Sequence, residues 1–267
     1  MVVRARKYYF ARLIIDLRWA KMVGDGMQAE RLVERNTLSQ NLFSKESEFF
    51  RYEKHGSDTL FVWFGGINEP FFSSSFPSYS GFDCLYFRDS EFDWYANGVA
   101  GLVPDAESLI AALRDGLMPA YSHVCFAGQS SGGHAALYYG LACLADLCIV
   151  FAPQIRNQFD GQCKMVPHVP LKNLYNLYRD ALETPKVLVN VSRSERDHSN
   201  EFEWNDLKQL DEFRNLDCVT LNIHPYDNHA VSVKLREEKL LYDLLVGYVG
   251  GYKALHKSRT QAAIATV

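Results

Sequence analysis

A serine flanked by glycines is the feature of this chain that most directly predicts chemistry. Residues 128–132 read G-x-S-x-G, with Ser130 at the centre. The apolar run 124–127 before the motif predicts a strand, and the alanine- and leucine-rich run 135–144 after it predicts a helix. A strand-to-helix turn of this kind is strained and lifts the serine hydroxyl above the sheet. We therefore predict that Ser130 is a nucleophile and that the backbone N–H of Ser131 donates to an oxyanion.

A histidine near the end of the chain is placed to act as the base that a weakly nucleophilic hydroxyl needs. Where G-x-S-x-G forms such a turn, an acid and then a histidine follow in the chain, each after a later strand. The apolar run 219–223 predicts the last strand, and His229 follows it just before a helical pattern begins. We predict that His229 is the general base. His224 adjoins the strand itself and is assigned to the core or to the sheet edge.

The acid that orients this histidine should follow the apolar run 187–191, which predicts the strand before the last. The loop after that run is rich in charged residues, and its arginines favour an ionised carboxylate. Asp197 is the first candidate and Glu195 is the second. Glu201 and Asp227 remain open as further alternatives.

Glycines after an earlier strand predict the second part of an oxyanion hole. The apolar run 60–64 is followed by Gly65 and Gly66, whose lack of side chains lets the backbone approach a negative oxygen. We predict that the N–H of Gly66 or of Ile67 is the second donor. An ordinary strand-to-helix turn is the alternative interpretation.

Three further side chains near these motifs are predicted to bind substrate. Gln129 adjoins the nucleophile, and Trp94 and Tyr95 belong to a group of aromatic residues that precedes it in the chain. Aromatic rings bury large apolar surfaces and can stack on the apolar faces of sugars. Packing in the core is the alternative role for each ring.

Strand-length apolar runs alternate with helical patterns over most of the chain. The apolar runs are 60–64, 84–87, 124–127, 147–152, 187–191 and 219–223. The helical patterns are 106–113, 135–144, 171–182, 202–213 and 231–245. Runs that are apolar without alternation are typical of parallel strands buried on both faces. This order predicts an α/β fold with a mostly parallel central sheet of about six to eight strands and helices on both faces.

The same pattern divides the chain into a core and two flanking segments. Residues 57–250 are predicted to form the core, with a small lid-like insertion at about 154–183. Residues 1–56 are predicted to hold a basic amphipathic segment and the first strands, packed on the core. The amphipathic segment could instead touch anionic lipid, which would give a peripheral membrane contact. Residues 251–267 are predicted to form a C-terminal tail.

Composition argues against several classes of protein. Of the 267 residues 48 % are hydrophobic, the net charge is −4 and the pI is about 6.1, so a nucleic-acid partner is not expected. The six cysteines form no C-x-x-C pair and no cluster has metal-ligand spacing, so neither a metal nor another cofactor is expected. With no apolar stretch of transmembrane length and no clear signal peptide, the expectation is a cytoplasmic protein in a reducing compartment.

These motifs together resemble those of the α/β-hydrolase superfamily over residues 57–250. The resemblance is carried by F-G-G at 64–66, G-Q-S-S-G-G at 128–133, the acidic loop around Asp197 and N-H-A-V at 228–231. It implies an α/β-hydrolase fold and a serine hydrolase with a Ser130–His229–Asp197 triad. Such an enzyme forms an acyl-enzyme on an ester, thioester or acyl-sugar substrate. Acyl transfer, and a binding or assembly protein without turnover, are the alternatives.

Two shorter motifs are similar to those of small bacterial hydrolases encoded beside glycosyltransferase and capsular or surface-polysaccharide genes. They are W-Y-A-N-G at 94–98, before the nucleophile, and A-P-Q at 152–154, after the next strand. Many members carry a methionine after the serine, where this chain has Ser131, but a backbone donor does not depend on that side chain. The likeness implies a role in polysaccharide biosynthesis, with a small molecule or an acylated sugar as the partner.

Overall fold

The computed structural model describes residues 42–43, 47–72, 74–89, 92–155, 172–193 and 206–265. The basic N-terminal segment predicted within residues 1–56 lies outside this set up to residue 41, and so does most of the predicted lid, residues 156–171. Asp197, Glu195 and Glu201 also lie outside the described residues.

A seven-stranded sheet forms the centre of the molecule. Its strands are β1 (Phe50–Glu53), β2 (Thr59–Phe64), β3 (Asp83–Phe87), β4 (His123–Gln129), β5 (Leu147–Phe151), β6 (Lys186–Ser192) and β7 (Val219–His224). They lie in the order β1-β3-β2-β4-β5-β6-β7. β1 is antiparallel to β3, and every other pair is parallel. The prediction of an α/β fold with a mostly parallel sheet is confirmed.

Helices cover both faces of this sheet. They are α1 (Phe76–Ser80), α2 (Ala106–Ala111), α3 (Ser131–Ala142), α4 (Leu174–Asp180), α5 (Asp206–Gln209), α6 (Val231–Glu237) and α7 (Leu241–Ala265). Side chains of α2, α3 and α4 join one buried apolar cluster, and side chains of α1, α6 and α7 join a second. Along β2, Leu60, Val62 and Phe64 belong to the first cluster and Phe61 and Trp63 to the second. Every residue of β2 is buried, which explains why its sequence is apolar without alternation.

The helix predicted over residues 231–245 is two helices in the structure. α6 ends at Glu237, and Lys239 has a left-handed backbone with a φ of 61°. The N–H of Leu240 donates to the carbonyl of Leu235 at 2.8 Å, which is the long hydrogen bond of a Schellman C-cap. Because a lysine takes the place that glycine usually holds in this cap, no glycine in the sequence marked the end of the helix.

α7 continues well beyond the predicted boundary of the core. The helix runs from Leu241 to Ala265, so the tail predicted from residue 251 onwards is helical through residue 265. Its first turns pack Leu245 and Val249 into the second cluster. None of the helices within the described ranges is long and apolar enough to cross a membrane.

Candidate active site

The turn between β4 and α3 holds Ser130 in a strained conformation. The φ of Ser130 is 56° and its ψ is −119°, a backbone state that residues with a side chain rarely adopt. The N–H of Ser130 donates to the carbonyl of Phe151 at 2.9 Å, which fastens the turn to the end of β5. The structure thus has the sharp strand-to-helix turn that the motif predicts.

Two glycines allow this turn to pack closely on β2. A Cβ atom on Gly132 would lie 2.0 Å from the carbonyl oxygen of Phe64. A Cβ atom on Gly128 would lie 2.3 Å from the carbonyl oxygen of Gly132. No side chain fits at such distances, so the two glycines of the motif are required by the close approach of one backbone to another.

Gly132→Ala is expected to displace the turn. The added methyl group would collide with the backbone of β2, which cannot move aside as a side chain does, so we expect a loss of about 3 kcal/mol in the free energy of unfolding. Urea unfolding measures the change. The matched control is Gly250→Ala in α7, where an added Cβ meets nothing within 4 Å and should be neutral or slightly stabilising. Equal unfolding midpoints for the two variants would contradict the close packing.

His229 lies within hydrogen-bond distance of Ser130. It follows β7 in the loop before α6, and its Nε2 is 2.9 Å from Oγ of Ser130. The side chain of His229 is 21 % exposed, so a molecule arriving from solvent can reach the pair. The structure therefore brings together the two residues that the sequence predicts as nucleophile and base.

The carboxylate that orients His229 belongs to Asp206. Its two oxygens lie 2.9 Å and 3.1 Å from Nδ1 of His229, and its side chain is 5 % exposed. An Nδ1–H that donates to a buried carboxylate fixes the tautomer in which Nε2 is an acceptor. A continuous chain of hydrogen bonds therefore runs from the hydroxyl of Ser130 through the imidazole to Asp206.

Asp206 is absent from the acids that the sequence suggests. The helical pattern 202–213 places it inside a helix, and in the structure Asp206 is the first described residue of α5. One signal in the sequence points to this residue: it is a carboxylate between β6 and β7, where the acid belongs. In the described part of the chain, Asp206 occupies the place at Nδ1 that the sequence assigns to Asp197. The assignments of Asp197 and Glu195 fall outside the described residues and stay untested.

Gln129 ties the nucleophile turn to the loop that carries His229. Its Nε2 donates to the carbonyl of His229 at 3.1 Å, and its Oε1 accepts from the N–H of Ser232 at 3.1 Å. Both polar ends of the side chain are therefore used within the protein. The substrate-binding role predicted for Gln129 stays untested, and the contacts give it a role in fixing the distance between nucleophile and base.

Trp94 and Tyr95 are buried beside the site. The hydroxyl of Tyr95 donates to the carbonyl of Gly65 at 2.8 Å, which supports the turn after β2. The indole of Trp94 packs edge-on against His134, with ring centroids 5.7 Å apart. The ring of Tyr95 thus supports the turn after β2, and the ring of Trp94 packs against α3. The role in binding substrate that the sequence predicts for both rings stays untested.

The turn after β2 uses one of the predicted oxyanion donors internally. The N–H of Gly66 donates to the carboxylate of Glu69 at 2.8 Å, and the N–H of Glu69 donates back to the carbonyl of Gly66 at 3.0 Å. Burial raises the pKa of Glu69. Gly66 could serve an oxyanion only after this carboxylate moves away, and the prediction for Ile67 stays untested.

The N-terminus of α3 offers the other predicted donor. Ser131 is the first residue of α3, so its N–H has no acceptor within its own helix. The helix dipole adds a partial positive charge at the same end. The backbone of Ser131 is therefore suited to donate to a negative oxygen that forms beside Ser130.

His134 is a buried neutral histidine in the first turns of α3. Its Nδ1–H donates to the carbonyl of Gln154 at 2.8 Å, which links α3 to the loop after β5. Burial lowers the pKa of His134 to about 4. The ring therefore stays uncharged near neutral pH and acts as a structural donor.

This histidine is expected to make the fold less stable as the pH falls from 6.5 towards 4. In that interval the unfolded chain protonates His134 while the folded chain does not, so the unfolded state binds more protons and gains stability as the pH is lowered. The full interval corresponds to about 3 kcal/mol. Urea unfolding at several pH values measures the slope. His134→Asn, which keeps a donor near Nδ1 but does not titrate, should flatten it, and an unchanged slope would contradict this account.

A small cavity of about 170 Å³ lies between the turn after β2 and α6. Its lining includes Trp63, Asn68, Glu69, Phe72, Ser232 and Arg236. Trp63 and Phe72 give the cavity an apolar part, and Glu69 and Arg236 bring opposite charges to it. It lies on the side of the site that holds the Gly66 turn. Within the described ranges, no group of three His, Cys, Asp or Glu side chains is placed to hold a metal ion.

Comparison with known proteins shows which solved structures have a similar fold. No protein-family model and no curated protein sequence matches the chain. Among solved structures, the capsule O-acetyltransferase of Neisseria meningitidis serogroup A is similar with a TM-score of 0.52 and 15 % identity, over 76 % of this chain and 99 % of that chain. The esterase Pf2001 of Pyrococcus furiosus is similar with a TM-score of 0.50 and 14 % identity, over 80 % and 93 % of the two chains. At such identities the likeness concerns the fold alone, and it supports an α/β-hydrolase-like architecture.

Proposed function

We propose that this chain is a serine hydrolase that acts on an ester-type substrate through an acyl-enzyme on Ser130. The observation that carries the proposal is the aligned set of contacts from Ser130 Oγ to His229 Nε2 at 2.9 Å and from His229 Nδ1 to Asp206 at 2.9 Å. A nucleophile, a base and an orienting acid in this order are what acyl transfer from an ester requires.

Acylation begins when Oγ of Ser130 attacks the carbonyl carbon of the substrate. The hydroxyl proton passes to Nε2 of His229, a C–O bond forms, and the π electrons of the carbonyl move to its oxygen. Asp206 stabilises the imidazolium, and the N–H of Ser131 with the positive end of α3 stabilises the oxyanion. The double bond then re-forms, the leaving oxygen departs with the proton from His229, and the acyl group remains on Ser130.

Deacylation repeats these steps with a second nucleophile. A water molecule, or the hydroxyl of an acceptor, gives its proton to Nε2 of His229 and attacks the acyl carbon. The second intermediate expels Oγ of Ser130, which recovers the proton from the imidazole. Water yields a carboxylic acid, whereas an acceptor hydroxyl yields a new ester.

The substrate that we propose is an acylated sugar or another small ester, and transfer to a sugar hydroxyl is the second candidate. Transfer is favoured by the likeness in fold to a protein named as a capsule O-acetyltransferase, and hydrolysis by the likeness to an esterase.

Covalent labelling is the test of the nucleophile. A fluorophosphonate reacts with a serine that a working base activates, so the full chain should gain one probe, located by peptide mass spectrometry on Ser130. Ser108→Ala, a serine of α2, should label as the wild type does, and Ser130→Ala should not label. An unlabelled wild type would instead favour a binding or assembly protein without turnover.

Product analysis separates hydrolysis from transfer. The full chain is incubated with p-nitrophenyl acetate, with and without a neutral oligosaccharide as acceptor. A hydrolase releases acetate in both cases. A transferase forms acetylated oligosaccharide, which mass spectrometry detects, and releases less acetate when the acceptor is present.

A further inference from the structure

Gln154 is a buried amide that the mechanism above does not use. Gln154 follows β5 and is fully buried, with an exposed fraction of 0 %. Its Oε1 lies 3.4 Å from Oγ of Ser130, whereas its Nε2 is buried and has no hydrogen-bond partner in the described part of the chain. A buried amide without a partner costs about 1–3 kcal/mol. This cost makes glutamine an unfavourable residue at a purely structural position, which points to a role in binding.

The backbone holds Gln154 firmly at the nucleophile. Ala152 has a left-handed φ of 42°, which turns the chain sharply at the end of β5. The carbonyl of Gln154 accepts from Nδ1 of His134 at 2.8 Å. Ile155 is fully buried, and its carbonyl accepts from the N–H of Leu174 at 3.2 Å. A backbone anchored on both sides in this way limits where the side chain of Gln154 can lie, which favours a preorganised position beside Ser130.

The oxyanion needs a second donor besides the N–H of Ser131. The N–H of Gly66, in the turn after β2, which borders β4 on one side, already donates to Glu69 at 2.8 Å. Gln154 follows β5, the strand that borders β4 on the other side, and its side-chain amide lies at Oγ of Ser130 while one of its two polar atoms has no partner in the described part of the chain. The prediction for the N–H of Ile67 stays untested, and the amide of Gln154 is a further donor within reach of Ser130.

The hydrogen bonds of Ser130 decide which way the amide faces. Its hydroxyl has one proton, which it donates to His229, so Oγ can only accept a hydrogen bond from Gln154. Rotating the amide by about 180° exchanges its oxygen and nitrogen, so that the NH₂ group faces Oγ as a donor and the amide oxygen becomes the buried atom without a partner among the described residues. We propose that this NH₂ group donates to the oxyanion of the tetrahedral intermediate, so that Gln154 and the N–H of Ser131 form the oxyanion hole. The inference rests on the proposed acyl chemistry at Ser130.

Gln154→Met tests the role in turnover, because methionine has a similar length and no donor. With p-nitrophenyl acetate we expect kcat to fall by about 10²–10³-fold, the effect of losing one oxyanion donor, and KM to change by less than about threefold. We expect the melting temperature to stay or rise, because the substitution removes a buried amide that lacks a partner. A merely structural role would lower the melting temperature instead. Gln154→Ala is the second variant, in case methionine does not fit.

A transition-state analogue measures the same contact without turnover. Trifluoroacetone, isotope-labelled at its carbonyl carbon, forms a hemiketal with an active serine, and the pKa of the hemiketal hydroxyl is read by NMR. Losing a donor to the oxyanion should raise that pKa by about two to three units, in proportion to the fall in kcat. A structural role has no reason to shift it.

The outcomes are distinct. A fall in kcat with a matching rise in the hemiketal pKa supports the inference. Turnover by both variants within threefold of wild type overturns it, and so does a fall in kcat with an unchanged hemiketal pKa. If the wild type neither hydrolyses the ester nor forms a hemiketal, the proposed function fails, and the role of Gln154 falls with it.

Discussion

Ser130→Ala is expected to lower kcat for p-nitrophenyl acetate by about 10⁶-fold while the protein stays folded. The substitution removes the oxygen that we propose carries the acyl group, whereas alanine keeps the Cβ atom and places no new group in the strained turn. Thermal unfolding should therefore change little, by less than about 3 °C. Steady-state kinetics of the full chain measures the loss.

Ser108→Ala is the matched control for this variant, because it removes a hydroxyl from α2 and leaves the site untouched. Its kcat should equal that of the wild type. The proposed mechanism is contradicted if Ser130→Ala, prepared free of contaminating esterase, turns over within tenfold of wild type. The nucleophile would then be another residue.

Asp206→Asn is expected to lower kcat by about 10⁴-fold with a small effect on KM. The carboxylate accepts the Nδ1–H of His229 at 2.9 Å and so keeps Nε2 free to take the proton of Ser130. An asparagine can present its NH₂ group to Nδ1 instead, which favours the tautomer with the proton on Nε2, and it cannot balance the charge of the imidazolium.

Two other aspartates make this experiment decisive. Asp211→Asn changes an exposed carboxylate of the same segment and should leave kcat within about twofold. Asp197→Asn tests the acid that the sequence suggested. If Asp197→Asn abolishes turnover and Asp206→Asn does not, the contact of Asp206 with His229 is not the one that catalysis uses.

Local patterns in the sequence were enough to select Ser130 and His229, which the structure places within hydrogen-bond distance of each other. The turn at Ser130 is encoded within five residues, because Gly128 and Gly132 are required where a Cβ atom would collide with a neighbouring backbone. His229 is identified by its place between the last strand and the next helix. The parallel sheet follows from apolar runs such as that of β2, whose residues are buried on both faces.

The other site residues depend on contacts between distant segments, which no local pattern encodes. Asp206 falls within a helical period, so the local pattern gave no reason to choose it as the acid. The N–H of Gly66 is taken by the carboxylate of Glu69, and the amide of Gln154 reaches Ser130 only because strands β4 and β5 are neighbours. The end of α6 was missed for a different, local reason, because Lys239 adopts the left-handed backbone for which glycine is the usual residue.

The double attachment of Gln129 has a consequence for engineering this chain. One side chain next to Ser130 binds both the carbonyl of His229 and the N–H of Ser232, so these two contacts help to set the distance between Ser130 and His229. Substitutions in the loops after β2 and β5 that keep Gly65, Gly66 and Gln154 should change selectivity without separating Ser130 from His229. The spacing of these two side chains is thus set apart from the sequence of most of the surrounding loops.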